Sequence, residues 1–260
     1  MAFAAPAGAL FGRELVRFAR QPSRIASAAG SPLLFWILIG SGLSGTFRLG
    51  GGGVSYLEYF FPGTVVLLVL FSSIFSTISV IEERQAGFLQ GVLAAPVAPD
   101  AIVAGKVLGG ATLAWLQGVV FLALAPATGI HLTALSVLAA AGVLALLALS
   151  LTALGFAFAW KVDSVQGFHA VMNVVLMPMW LLSGSFFPLD GAPVWLAALM
   201  RINPLTYGVA ALRWAFYGTA EAVGPGLPGP AASVAVTIAI AAAAFGLDLL
   251  VMRGGRGRVE

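Results

Sequence analysis

The sequence predicts an all-α integral membrane protein with six transmembrane helices, and three observations lead there. Hydrophobic residues make up 60% of the 260-residue chain and charged residues only 9%, where a soluble domain carries roughly a quarter charged residues. Apolar runs long enough to cross a bilayer core as a helix, ~20 residues each, recur along the chain. They stand in blocks rather than in period-2 alternation, which argues against a β-barrel. Every backbone amide in lipid must be paired within its own segment, so helices remain.

The elements follow in order. Residues 8–24 carry Arg13, Arg17, Arg20 and Arg24 at spacings of four, three and four, on one helical face. Leu10, Phe11, Leu15 and Phe18 lie on other faces. The pattern is that of an amphipathic helix at the membrane surface, or more plainly of a solvated basic tail. The first ten residues hold no basic residue, unlike a cleaved signal peptide. The first span covers 27–47, with Pro32 in its early turns, where a missing amide costs little. A glycine-rich loop at 50–53 leads to a second span at 59–81. A polar break at Glu82, Glu83, Arg84 and Gln85 opens an 82–99 loop, and a third span runs over 101–125. A turn with Pro126, Gly129 and His131 precedes a fourth span at 134–160, and Lys161 and Asp163 mark a short loop before a fifth at 167–182. A long mixed stretch, 183–230, separates it from the sixth span at 231–252 and a tail with Arg253, Arg256 and Arg258.

Basic residues set the orientation. With a cytoplasmic N-terminus, Arg13, Arg17, Arg20, Arg24, Arg84, Lys106, Lys161, Arg253, Arg256 and Arg258 are inside, and only Arg48, Arg201 and Arg213 are outside. That bias requires an even number of crossings, both termini cytoplasmic and the 183–230 stretch external. Its apolar pieces, 194–200 and 207–217, are too short to span and read as two short re-entrant helices in the outer leaflet. Surface helices outside the membrane are the alternative. The net charge of +3 is then an orientation signal rather than a sign of nucleic-acid binding.

Little in the chain can carry chemistry. It has no cysteine, which excludes disulfides, thiolate metal sites and Cys nucleophiles. A nucleotide-binding P-loop needs Gly-x4-Gly-Lys-Ser/Thr. Lys106 follows Gly105, but Val107 replaces the hydroxyl and Asp100 stands at the first Gly. His131 and His169 have no ligand-like spacing and read as interfacial or packed residues. Neither a metal site nor a catalytic site is expected. Asp248, near the cytoplasmic end of the sixth span, reads as paired with Arg253, as snorkelling, or as a proton relay. Ser72, Ser76 and Ser79 share a face of the second span, and small hydroxyl residues of this kind pack helices or line a path. Gly105 and Gly109 form a small-xxx-small pair. With no relay and no P-loop, a separate energising subunit docked on the 82–99 loop is the economical reading.

Two segments carry a family resemblance. EERQAGFLQGVLAAPVAPDAIVAGK, at 82–106, resembles the cytoplasmic loop of ABC-2 type permeases, with Glu83, Arg84, Gly87, Leu93, Pro96, Val97, Gly105 and Lys106 fitting the pattern. SGSFFPLDGAPVWLAALMRINPLTYGVAALRW, at 183–214, is similar to the family's external region through Gly184, Phe186, Phe187, Pro188, Asn203, Pro204, Leu205, Thr206, Tyr207 and Arg213. The start, with Arg20 and Pro22, is similar too. Gln90 and Ala95 stand where Glu and Thr are common. The resemblance covers essentially the whole chain, 1–260, as a single transmembrane domain, most like bacterial drug-resistance and nodulation-factor permeases.

The resemblance implies a bacterial inner-membrane exporter built from two permease subunits, expected to be identical, and two ATPase subunits. ATP and Mg belong to the partner, and this chain carries no cofactor. Residues 82–99 would be the coupling segment, with Glu82, Glu83, Arg84, Gly87, Leu93 and Pro96 facing the ATPase. Glu82 and Glu83 at a helix start would favour its dipole. Phe186, Phe187, Pro188, Asn203, Pro204, Tyr207 and Arg213 would close the exit, with the two phenylalanines as an apolar plug or as plain interface anchors. Ser72, Ser76, Ser79 and Asn173 are candidates for the path or for packing. The substrate reading is a hydrophobic or amphipathic molecule, with a lipid-linked saccharide as the alternative and an ion-coupled transporter as a third reading.

Overall fold

The structure is a computed structural model and describes residues 3–43, 55–219, 223 and 226–255. Its helices, in chain order, are α1 (Ala4–Ala19), α2 (Pro22–Leu43), α3 (Tyr56–Gln85), α4 (Phe88–Ala94), α5 (Pro99–Phe121), α6 (Ala134–Lys161), α7 (Val165–Trp180), α8 (Val194–Ile202), α9 (Pro204–Tyr217) and α10 (Pro230–Gly255). A 3₁₀ turn, Leu122–Thr128, extends α5, and a π-helical segment, Leu181–Ser185, extends α7. Among the described residues there is no strand. Among these residues six helices are long and apolar enough to cross a membrane, as expected. The glycine loop 50–53, Arg48, Arg256 and Arg258 lie outside the described residues.

Local chemistry sets the boundaries. Pro22, Pro99 and Pro204 each begin a helix, where the missing amide has no partner to lose. The Ser55, Thr133 and Ser164 hydroxyls accept from the amides of Glu58, Ser136 and Gly167 and cap α3, α6 and α7. Gly87, at φ 76°, ends the α3 region in the left-handed conformation that glycine adopts at little cost.

The helices sort by burial. α3 is the axis, with 89% of its most apolar stretch buried against 22% for α2, α7 and α10. It packs on α2, α5 and α6, while α1 lies along α5, and α9 lies against α6 and α10.

Two boundaries differ from the sequence reading. The N-terminal helix stops at Ala19 and a new one starts at Pro22, so Arg13 and Arg17 lie in one helix and the backbone of Arg24 in the next. The polar break at 82–85 is the last turn of α3. Glu82 and Glu83 therefore sit at a helix C-terminus, where the dipole disfavours them, rather than at a helix start. The two short apolar pieces of 183–230 both form helices, α8 exposed at the rim and α9 largely buried.

Candidate functional site

One end of the bundle gathers most of the described charges. Lys106 of α5 bridges two buried carboxylates: its Nζ donates to Glu14 Oε1 of α1 at 2.5 Å and to Glu83 Oε2 of α3. Glu14 also accepts from the Ser79 hydroxyl at 3.2 Å. Glu83 Oε1 meets Arg17 Nη1 at 3.1 Å and Arg13 Nη2 at 3.3 Å, and Arg17 pairs with Glu82 as well. Three carboxylates and three cations thus balance. That balance makes burial of Glu14, Glu83 and Lys106, each under 5% exposed, tolerable where an unpaired charge would not be.

The backbone allows this approach because α5 presents Gly105 and Gly109. A Cβ at Gly105 would lie 2.8 Å from the Ala7 carbonyl, and one at Gly109 would lie 2.9 Å from Glu14 Cβ. The small pair is a seat for α1. The face carrying Leu10, Glu14 and Phe18 is buried, and Arg13 and Arg17 reach the α3 carboxylates.

The expected coupling residues divide into inward and outward sets. Glu83 is turned inside the protein and offers no free charge to a partner. The Arg84 guanidinium donates to the Trp160 carbonyl at 2.7 Å and to that of Val162, tying α3 to the α6–α7 turn. Glu82 and Leu93 are half-buried, and so is Gly87. The exposed surface of this loop is Gln85, Ala86, Phe88, Gln90, Gly91, Ala94 and Pro96. The Arg13 guanidinium lies over the Phe88 ring, 3.4 Å from its centroid, so α1 touches α4 directly.

Along α3 the hydroxyl residues are used in packing. Ser72, Ser76 and Ser79 are all buried, and the Ser72 hydroxyl has no hydrogen-bond partner among the described residues. Ser76 Oγ donates to the Ser73 carbonyl at 2.8 Å and fills the space left by Gly110 of α5. Thr152 of α6 donates to Ser73 at 3.1 Å, and Gly155 makes room for Thr77. Asn173, by contrast, is exposed on α7 beside Val174. Near the charged end an open cavity of about 230 Å³ is lined by Ser23, Ser27, Phe75, Ile78, Glu82, Val165 and His169. Among the described residues no group of three His, Asp or Glu side chains could hold a metal.

The opposite end is aromatic. Phe186 meets Phe60 edge-on at 5.3 Å and Trp180 at 5.9 Å, while Phe187 and Pro188 are half-buried beside it. Asn203 caps α9, accepting from the Leu205 amide at 3.0 Å, and its own amide donates to the Met179 carbonyl at 2.6 Å. Pro204 follows as the first residue of α9. The Tyr207 hydroxyl donates to the Arg201 carbonyl at 3.1 Å and fastens α8 to α9. Arg213 is 2% exposed and reaches the Gly184 carbonyl at 2.9 Å.

Asp248 departs from expectation. Arg253 pairs with Asp100, at 2.9 and 2.5 Å, and not with Asp248. Asp248 is fully buried, and neither carboxylate oxygen has a hydrogen-bond partner among the described residues. Sequence reasoning also missed Glu14 and the pairing of Lys106. The available signal was Glu14 standing between Leu10 and Phe18 at helical spacing, an acid on an otherwise apolar ridge.

Residues 7–217 match the family model of the ABC-2 type transporter. The chain is 28% identical to a putative transport permease ycf38 of Cyanophora paradoxa over 80% of this chain and 72% of that protein. It is 30% identical to nodulation protein J of Rhizobium leguminosarum bv. trifolii over 70% of each. It is 28% identical to the inner membrane transport permease YadH of Escherichia coli K12 over 72% of this chain and 71% of that protein.

Proposed function

The chain belongs to the ABC-2 type transporter family, and from that membership we propose that it is the permease subunit of an ATP-driven exporter. It pairs with a second, identical permease and two ATPase subunits, which hold the ATP and Mg. It moves a hydrophobic or amphipathic substrate out of the cytoplasm or the inner leaflet. The charged end, with Arg13, Arg17, Lys106, Lys161 and Arg253, faces the cytoplasm of a bacterial inner membrane. Both termini lie on that side, and α8 and α9 re-enter the outer leaflet.

The observation that carries this reading is α4. It is a short helix between two spans with Gln90, Gly91 and Ala94 exposed, and Pro96 exposed just after it. At its base Phe88 touches Arg13, and Arg13 meets the buried Glu83, which Lys106 links to Glu14. A push on α4 is therefore delivered to α1, α3 and α5 together. Glu83 acts in this scheme as an internal link, and the exposed residues of α4 make the contact. At the far end Phe186, with Phe187 and Tyr207, supplies a dry constriction. Ser73, Ser76, Thr77 and Ser79 of α3 are bonded within the subunit and Ser72 is buried there, so the route runs along exposed apolar faces such as Leu34, Leu38 and Val174, at a seam between copies. Such a neutral lining suits an amphipathic solute better than a strongly hydrated one.

One observation favours a second reading, ion-coupled transport: the buried carboxyl of Asp248, which has no hydrogen-bond partner among the described residues. Both readings meet in one experiment. The permease is reconstituted with its cognate ATPase, and uptake of an amphipathic fluorophore into inverted vesicles is followed. Transport that needs ATP hydrolysis and survives Asp248→Asn is expected. Transport by the permease alone on an ion gradient, abolished by Asp248→Asn, would sink the ATP-driven reading. Stimulation of hydrolysis by a lipid-linked saccharide alone would move the substrate to that class.

A further inference from the structure

The aromatic end contains a broken helix whose freed carbonyls are met by donors from α3 and α9. Gly184, at φ 80°, interrupts the π-helical segment that follows α7. A break there leaves backbone carbonyls without helical partners, and each must find a donor or stay unsatisfied in an apolar setting. Three donors converge on the break. The Arg213 Nη2 of α9 donates to the Gly184 carbonyl at 2.9 Å and the Tyr59 hydroxyl of α3 to the same oxygen at 2.8 Å. The Tyr56 hydroxyl donates to the Phe186 carbonyl at 2.8 Å.

Arg213 is itself placed with care. Its guanidinium lies 4.0 Å from the Tyr59 ring centroid and also approaches the Tyr59 and Val223 carbonyls at 3.4 Å each. Carbonyls and a ring face stabilise this buried cation, and a planar fork serves several acceptors where an ammonium would serve fewer. Backbone packing leaves no slack: a Cβ on Gly63 of α3 would collide with Ser185, and Trp180 Nε1 donates to the Gly63 carbonyl at 2.8 Å.

We propose that Arg213 and Tyr59, with Tyr56, are positioning residues for the closed outer end: they fix the 184–186 backbone so that the Phe186 ring stays seated between Phe60 and Trp180. None of the three touches the route itself; they act through Phe186. The proposal rests on the reading of Phe186 as the seal.

The test separates the two claims. Permease and ATPase are reconstituted without ATP in vesicles loaded with a pH-sensitive dye, and the basal proton leak is measured for wild type, Phe186→Ala, Tyr59→Phe, Arg213→Lys and the double variant Tyr59→Phe/Phe186→Ala. Tyr59→Phe keeps the ring beneath the guanidinium and removes only the hydroxyl, so it should insert and fold. Phe186→Ala is expected to leak most. Tyr59→Phe and Arg213→Lys should each leak more than wild type, by about fivefold, the weight of one hydrogen bond in a closed-to-open equilibrium. The double variant should leak no more than Phe186→Ala alone, because both changes act through one ring. A tight Phe186→Ala overturns the seal and the proposal with it. A leaky Phe186→Ala beside tight Tyr59→Phe and Arg213→Lys, or a double variant whose leak is the product of the single effects, overturns the positioning role alone.

Discussion

Without the Lys106 ammonium, Glu14 and Glu83 would face each other where neither is open to water. Breaking a buried charge set by removing one member costs on the order of 3–5 kcal/mol, because the remaining charges lose their compensation. Lys106→Met should therefore lower the thermal unfolding midpoint of the purified protein in detergent markedly. Adding Glu83→Gln should recover part of the loss, since the two residues are coupled. An unchanged midpoint for Lys106→Met would show that the cluster does not hold this end together. Each of these residues was visible in the chain, but their meeting was not. Glu14 and Lys106 lie 92 positions apart, and no local pattern joins them. The sequence marked Lys106 as the end of a Gly-Lys motif and Glu83 as a loop charge. Pairing with Arg253 was one of the three readings it offered for Asp248, and the fold gives that place to Asp100.

At the scale of elements, α4 is where the fold corrected the coupling residues most. The helix was expected inside the 82–99 loop, yet the side chains expected to face outward from its start, Glu83 and Arg84, are held inside by Lys106 and by the α6–α7 turn. The exposed residues are uncharged. We expect Gly91→Trp, at a position with nothing within 4 Å of an added Cβ, to leave insertion and stability unchanged while lowering substrate-dependent ATP hydrolysis by the cognate ATPase by about tenfold, the loss of roughly 1.4 kcal/mol of contact. Hydrolysis and transport at wild-type levels would remove α4 from the docking surface. α1 teaches the complementary lesson. Its amphipathic pattern was legible, and so was the Gly105–Gly109 pair. That the second is the seat of the first follows only from the contact between them.

For the whole molecule, six apolar helices and the clustering of Lys and Arg at one end make a direct topological prediction. The chain has no native cysteine, so single substitutions report cleanly. In intact cells, an impermeant thiol reagent should label His131→Cys, at an exposed position of the turn before α6, and should not label Asp163→Cys in the α6–α7 turn. The reversed pattern would invert the proposed orientation.

Composition alone determined that this chain forms membrane-spanning helices. Hydropathy is summed along contiguous residues, and a bilayer leaves an apolar segment no other way to pair its backbone. The number of spans and the family pattern were likewise local properties, readable in order along the chain. The tertiary structure decided which side chains meet: that Lys106 joins α1 to α3, that Ser73 and Ser76 of α3 pack on α6 and α5 and Ser79 bonds Glu14 of α1, that Asp248 has no donor among the described residues, and that Arg213 reaches back to Gly184. Electrostatic and hydrogen-bond energies fall off over a few ångströms of space, and distance along the sequence does not measure that space.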